Sequence, residues 1–136
     1  MQALFNVAQA DVHLGRFDSA TAHGREALAW ALDGDDEWLA MSLAGVLGAA
    51  AHGRGDDAEA CSWFAQWSAA ADAVGIVDPG VTRFHGDHIE ALIATGAIDD
   101  ARQRTTELRR RAERAGMTGR GSWALTARKN TEGGER

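Results

Sequence analysis

EALIATGAIDDA, residues 90–101, is the stretch that decides the fold, because it predicts two helices that meet at a glycine. Gly96 supplies the turn, and the small residue Ala101 follows five positions later. The same combination occurs twice earlier, at a period of about forty residues: Gly15 with Ala20, and Gly55 with Ala60. A period in this range predicts stacked helix pairs, in which the small residue lets two helices cross closely.

A further glycine closes each copy of this pattern and sets the unit boundaries: Gly34, Gly75 and Gly116. We therefore predict one all-α domain over residues 1–128, built as an α-solenoid of antiparallel helix pairs of the tetratricopeptide type. Three hairpins and a partial seventh helix are expected, at about 1–34, 35–75, 81–116 and 122–128. Residues 129–136 are polar and glycine-rich, and they predict a frayed tail.

Composition supports a helical protein that functions inside the cell. The hydrophobic fraction of 45% is rich in alanine, the best helix former, while one proline and no tyrosine give no signal for a sheet. The single cysteine, Cys61, cannot form an internal disulfide, and no secretory leader precedes the first helix. We expect a cytoplasmic protein without a membrane segment, since the longest apolar run, residues 39–51, is too short to cross a bilayer.

The charge pattern argues against nucleic-acid binding. The formal net charge is -6, and the arginines that follow Ala101 are interleaved with Glu107 and Glu113. Arginines at such offsets point in several directions, so they predict a solvated helix with ion pairs, whereas a phosphate-binding surface needs a one-sided basic stripe.

Acidic residues mark the expected helix starts. Asp18 is predicted to cap the second helix, and Asp56 with Glu59 forms a capping box for the fourth. Asp87 with Glu90 forms a similar box in the third unit.

Three aromatic residues lie close together in the second unit. Trp63, Phe64 and Trp67 fall within five positions, so they cannot all face the same side of one helix. One interpretation is core packing with a single aromatic side chain at the rim. The alternative is an exposed aromatic anchor for a partner.

Several residues match the tetratricopeptide pattern, in which a small residue at the helix crossing is followed by a bulky residue. Four residues of the second unit fit it: Leu47, Gly48, Ala60 and Phe64. RFHGDHIEALIATGAIDDARQRTTELRRRAERAG, residues 83–116, followed by SWALTAR, residues 122–128, is more specific. This part resembles the tetratricopeptide-like region of large LuxR-type, MalT-like ATP-dependent transcriptional regulators.

The resemblance implies a sensing segment. In that family an ATPase domain precedes the repeats and a helix-turn-helix domain follows them, and the sequence contains neither a phosphate-binding loop nor a basic recognition helix. The resemblance therefore implies binding of a ligand or partner without ATP hydrolysis or DNA reading, in a detached or truncated piece of a regulator. His85, Gly86 and His88 depart from the family pattern.

Catalytic chemistry has little support in the sequence. HGDHIE, residues 85–90, could place His85, His88 and Glu90 around a metal ion, and this defines an alternative, a metal-dependent enzyme. The ordinary interpretation is a capped helix start with two histidines at its entrance. No histidine has serine and aspartate partners at the spacing of a hydrolytic triad, so we predict no enzyme, no metal and no cofactor.

The leading hypothesis is a non-catalytic module that binds a protein, a peptide or a small effector in a groove formed by the first helix of each pair. Self-association through apolar repeat ends, giving a homo-oligomer, is the alternative. The predicted groove-lining residues are Asn6, Asp11, His13, Ser42, His85 and His88.

The predicted helix crossings give a first test. Ala60→Leu or Ala101→Leu should overfill a crossing and lower the free energy of unfolding by about 1–3 kcal/mol. Urea denaturation of each variant beside the wild-type protein measures the loss. Wild-type stability in both variants would contradict the repeat register.

Overall fold

The computed structural model describes residues 2–75, 84–114 and Gly116, which form six α-helices and no strand. The helices are α1 (Gln2–His13), α2 (Phe17–Asp33), α3 (Glu37–Gly53), α4 (Asp57–Ala73), α5 (Phe84–Ala94) and α6 (Ile98–Arg114). Each helix packs against the next one in the chain, and α3 also contacts α1 and α5. The all-α prediction is therefore confirmed for the described residues.

Three tight turns join the helices within the pairs α1–α2, α3–α4 and α5–α6. Gly15, Gly55 and Gly96 adopt φ values of +75°, +80° and +81°, which a residue with a Cβ adopts only with strain. In the middle turn the Gly55 amide donates to the carbonyl of His52, and the Asp56 amide donates to that of Ala51. These bonds satisfy carbonyls that the end of α3 would otherwise leave unpaired.

The ends of the first and second pairs differ in which residue is left-handed, although Gly34 closes α2 as predicted. Gly75 and Gly116 have φ values of +76° and +71°, as expected for glycines that close a helix. In the first pair, however, Gly34 has a φ of -91°, and the left-handed residue is Asp35 at +54°. Asp35 lies forty positions before Gly75, and aspartate tolerates this conformation better than most residues.

The alanines that follow the three tight turns are buried. Ala20 and Ala60 are fully buried, and Ala101 is 4% exposed. A methyl side chain at these sites lets the two helices approach closely, since it adds little bulk between the backbones. The three alanines that the sequence placed at crossings are therefore all buried.

α3 is the central helix of the described structure. Eleven of its 17 residues are buried, and it contacts four of the other five helices. A Cβ added at Gly48 would lie 2.7 Å from the Phe64 ring of α4, and one added at Gly45 would lie 2.4 Å from the Phe84 ring of α5. Carbon atoms normally pack at about 3.5–4.0 Å, so only glycine allows these rings to lie on the helix.

The aromatic rings of α4 and α5 form one cluster over α3. Phe64 is fully buried and Trp67 is 1% exposed. Trp67 meets Phe84 edge-on, with ring centroids 5.6 Å apart, and the Phe64 ring lies 6.4 Å from the same phenyl group. Both distances fall in the range that favours aromatic pairs.

A different contact joins the first pair to the second. Leu47 of α3 packs on Gly24 of α2, where an added Cβ would lie 2.9 Å from a leucine methyl group. The equivalent residues one unit later are His88 and Phe64, at offsets of 41 and 40 positions. These two rings stack with centroids 5.4 Å apart. The same position therefore joins neighbouring pairs by an aliphatic contact in one case and by ring stacking in the other.

Two of the predicted helix caps are wrong. α2 begins at Phe17, one residue before Asp18, and its cap residue Arg16 makes no side-chain cap bond. Asp87 lies inside α5, which includes Phe84, so it does not cap that helix. The Asp56 prediction is confirmed in part, because its carboxylate accepts from the Glu59 amide at 3.2 Å.

No described helix combines the length and the apolar character that crossing a membrane requires. The predicted partial helix at 122–128 and the predicted tail at 129–136 lie outside the described residues, as do residues 81–83 of the third unit. The expectations for these segments remain predictions.

Gly48 and Gly86 give a matched pair of glycine substitutions. Gly48→Ala should lower the free energy of unfolding by about 1–3 kcal/mol, because the new methyl group collides with Phe64. Gly86→Ala should raise it by roughly 0.5–1 kcal/mol, since the site is helical and has open space around it. Urea denaturation of both variants measures the two effects. Unchanged or increased stability in Gly48→Ala would contradict the packing of Phe64 on α3.

Candidate functional site

An apolar groove lies between α2 and α4, with α3 as its floor. We call it the α2–α4 groove, and its volume is about 400 Å³. Its walls and floor include Leu28, Leu32, Met41, Trp63 and Val74. Leu32 and Val74 are 62% and 49% exposed, so the groove presents apolar surface to solvent.

Carboxylates lie at and near one end of the α2–α4 groove. Glu37 is part of its lining, and three exposed aspartates follow Leu32 in the sequence: Asp33 at the end of α2, and Asp35 and Asp36 in the connection to α3. The Asp36 side chain accepts from the Leu39 amide at 3.0 Å, so it caps α3. This end of the groove is therefore strongly acidic.

Trp63 is held in place at the wall of the groove. Its indole Nε1–H donates to Glu59 at 3.3 Å, and Glu59 also accepts from Arg25 at 3.2 Å and from Arg54 at 2.7 Å. Of the three neighbouring aromatic residues, Phe64 is fully buried and Trp63 is half-buried at the groove. A tethered indole loses little freedom when another molecule packs on it.

A second, more polar cleft lies between α4 and α6, with α5 as its floor. We call it the α4–α6 cleft, and its volume is about 430 Å³. Its lining includes Cys61, His88, Asp100, Arg104 and Glu107. The Arg104 guanidinium crosses the cleft and donates to the hydroxyl of Ser68 on α4. The thiol of Cys61 is half-buried, 3.9 Å from the Thr95 hydroxyl.

His85 and His88 belong to the contact between α4 and α5. His85 lies edge-on to Trp67, with ring centroids 4.7 Å apart, and His88 is only 3% exposed. Burial, together with the nearby Arg104 and Arg111 guanidinium groups, lowers the pKa of His85 to about 4. Burial, followed by the charge of Arg104, lowers the pKa of His88 to about 4 as well. Both imidazoles are therefore neutral near pH 7.

Asp11, Ser19 and His23 meet where α1 packs on α2, a contact that the sequence analysis did not predict. The same Asp11 oxygen accepts from the Ser19 hydroxyl and from His23 Nδ1, each at 2.9 Å. These bonds, the one from His23 first, hold the pKa of the Asp11 carboxyl below its usual range. A hydrolytic triad instead needs the serine to donate to the second nitrogen of the histidine. The trio therefore lacks the geometry of a charge-relay nucleophile.

His52 of α3 lies between carboxylates on two other helices, Asp57 on α4 and Asp87 and Glu90 on α5. We call these four residues the His52 cluster. His52 Nδ1 donates to Asp57 at 2.6 Å, and its Nε2 lies 3.1 Å from a Glu90 oxygen, with Asp87 beside them. The hydrogen bond to Asp57 is the largest effect that raises the pKa of His52, and burial raises that of Asp87. Spacing alone could not reveal this cluster, because His52 and Glu90 are 38 positions apart.

The six residues predicted to line a groove do not share one surface. Asn6 and His13 are exposed on α1, and Ser42 is half-buried with its hydroxyl donating to the Trp38 carbonyl. The other three contact second helices of the pairs: Asp11, His85 and His88. Asp11 and His88 are 5% and 3% exposed, so they offer little surface to a ligand.

The three residues of the predicted alternative metal site do not lie together. Glu90 faces His52, whereas His85 and His88 lie against the α4 rings. Among the described residues, the group with ligand atoms close enough for one ion is His52, Asp87 and Glu90.

No protein-family model, no curated protein and no solved structure matches this chain. Function has to be inferred from residues and their geometry. Within the described ranges, the chemistry concentrates at three places: the α2–α4 groove, the α4–α6 cleft and the His52 cluster.

The lowered pKa values of His85 and His88 predict acid sensitivity between pH 6.5 and 4. The unfolded chain takes up protons below pH 6.5, whereas the folded protein resists protonation until about pH 4. The free energy of unfolding should therefore fall as pH is lowered, by up to about 1.4 kcal/mol per pH unit for each histidine.

Urea denaturation across this pH range measures the slope in wild-type protein and in His88→Gln. His88→Gln should show a smaller slope, since the amide does not titrate. Equal slopes in the wild-type protein and in His88→Gln would show that His88 does not resist protonation.

Proposed function

We propose that this chain is a non-catalytic helical-repeat module of the tetratricopeptide-like type that binds a segment of another protein. The turn at Gly15 recurs at Gly55 and Gly96, forty and then 41 positions later, with the same left-handed conformation. Ala20, which follows the first turn, has buried counterparts at the same offset in the other two pairs. This regularity supports a short solenoid of three hairpins.

The proposed binding surface is the α2–α4 groove, and the proposed occupant is an amphipathic helix with basic residues along its polar face. The single observation that carries the proposal is an open apolar groove, with Leu32 and Val74 both exposed, next to an acidic end formed by Asp33, Asp35, Asp36 and Glu37. An amphipathic helix buries its apolar face in such a groove between two helices. Lysine or arginine on its flank would meet the carboxylates.

The groove also explains how one aromatic residue could serve as an anchor. Trp63 presents part of its ring in the groove wall, while its indole N–H remains bonded to Glu59. Binding would then require little rearrangement of this side chain, and tryptophan is enriched among the residues that carry binding energy. The other two aromatic residues of this group, Phe64 and Trp67, are buried.

A hydrolytic role has weaker support. The Ser19 hydroxyl donates to Asp11. It lies 3.4 Å from His23 Nδ1, and that nitrogen is already bonded to the same carboxylate. No general base is therefore arranged to activate this serine.

We also propose that the chain derives from the sensing region of a LuxR-type regulator. That part of the proposal rests only on the resemblance of residues 83–116 and 122–128.

Binding of a model peptide tests the groove. The probe is a fluorescein-labelled amphipathic peptide of roughly 18 residues with leucine on one face and lysine on the other, long enough to form a helix on binding. We expect saturable binding, measured by fluorescence anisotropy, that weakens as salt is added. The same peptide with glutamate in place of lysine should bind at least about tenfold more weakly, a difference of about 1.4 kcal/mol.

Two aspartate substitutions separate the groove from general surface charge. Leu32→Asp adds a charge inside the groove, and Leu14→Asp adds the same charge at an equally exposed leucine near the other end of α2, about 25 Å away. Leu32→Asp should weaken binding at least tenfold, and Leu14→Asp should bind like the wild-type protein. Equal binding by both variants would overturn the proposal. A concentration-dependent dimer that Leu32→Asp abolishes would identify a second copy of this chain as the occupant instead.

A further inference from the structure

The His52 cluster brings together the side-chain types that coordinate a transition metal. His52 lies in the last turn of α3, and Asp87 and Glu90 lie one turn apart on α5. One ligand atom from each of these three side chains lies within 4.8 Å of the other two. Zinc bonds are about 2.0–2.2 Å long, so three atoms around one ion lie only a few ångströms apart. Small side-chain movements would therefore complete a three-ligand site.

A fourth residue orients the imidazole as a metal ligand requires. Asp57, the first residue of α4, accepts from His52 Nδ1 at 2.6 Å. This bond turns Nε2 toward Glu90, at 3.1 Å. A histidine that binds a metal through one nitrogen commonly donates its other N–H to a carboxylate, which fixes the ring and increases its basicity.

The local charge favours a divalent cation. Three carboxylates, Asp57, Asp87 and Glu90, surround one imidazole. His52 also lies at the carboxyl end of α3, where the helix dipole is negative. Arg54, the nearest arginine in the sequence, is bonded to Glu59 at 2.7 Å. The neighbouring residues balance the negative charge of these carboxylates only in part, and a dication would offset the remainder.

We propose that His52 Nε2, Asp87 and Glu90 bind one Zn²⁺ ion, with Asp57 as the positioning residue for His52. The fourth coordination position would hold water or a ligand from a partner. The ion would join α3 to α5, and thus the second helix pair to the third. This site is separate from the α2–α4 groove, so it stands independently of the proposed function.

The same geometry also fits a simpler arrangement without a metal, and an experiment can distinguish the two. A protonated His52 could donate to Asp57 and Glu90 at once, as an ion-pair network without a metal. Both arrangements hold α3 against α5. They differ because only the metal site takes up one zinc ion per chain and requires a free electron pair on His52 Nε2.

Isothermal titration with ZnCl₂ at neutral pH tests the proposal, on untagged protein first stripped with a chelator and then dialysed. Wild-type protein should bind one ion per chain, and zinc should raise its thermal midpoint. Glu90→Gln and Asp57→Asn should each weaken zinc binding by about tenfold or more, and His52→Gln should abolish it. His23→Gln is the matched control, because His23 is also bonded to a carboxylate but belongs to no group of ligand atoms among the described residues that could hold one ion.

Cobalt gives a second readout. Co²⁺ in a four-coordinate site absorbs visible light strongly, and the spectrum of the wild-type complex should disappear in Glu90→Gln. The Glu90 side chain is 69% exposed, so this variant should fold normally, which circular dichroism checks. Lack of saturable zinc binding by the wild-type protein would overturn the proposal and leave the ion-pair network. Wild-type affinity in Glu90→Gln, or an equal loss in His23→Gln, would also overturn it.

Discussion

The phenyl ring of Phe64 lies on the backbone of α3 at Gly48, closer than any residue with a Cβ would permit. Phe84 makes the equivalent contact at Gly45, so helices from two successive pairs are seated on the same glycine-bearing face. Because α3 contacts α1, α2, α4 and α5, its position determines where most of the described structure lies. Close approach of backbone and ring supplies the packing that larger aliphatic residues supply in many helical proteins.

The groove and the cleft follow from this arrangement. Among the described residues, the backbones of α2 and α4 do not approach closely, nor do those of α4 and α6, because a first helix lies beneath each gap. The two gaps differ in chemistry because their walls differ. Leu28, Leu32 and Val74 make the first apolar, whereas Arg104 and Asp100 make the second polar. The same arrangement of helices thus presents two surfaces of different polarity.

Sequence reasoning predicted the features that depend on neighbours in the chain. Gly15, Gly55 and Gly96 could be identified as turns because only a left-handed residue closes such a hairpin, and spacing then located the buried alanines. Gly34 was correctly predicted to close α2, but the left-handed residue beside it is Asp35, which a search for glycines does not identify.

Features that depend on two distant helices could not be predicted in the same way. Asp87 has the spacing of a helix cap relative to Glu90, but α5 includes Phe84 and carries both side chains toward His52. The position of His52 opposite Glu90 depends on how far α3 is displaced along α5, and no local pattern encodes that displacement. The exposure of Leu32 and Val74 likewise depends on the gap between α2 and α4. Most of the fold was therefore accessible from sequence, and most of the site was not.

The two junctions between successive helix pairs use different contacts, so the helix pairs cannot exchange places. Leu47 fits the first pair because Gly24 leaves room for it, and Phe64 fills the position equivalent to Gly24 in the second. Tandem duplication of the second unit would set a new copy of Leu47 against Phe64, where the existing chain places a flat imidazole ring. Insertion of a second copy of residues 35–75 by unequal crossing-over would therefore require compensating substitutions at the new junction, so the helix pairs are not interchangeable.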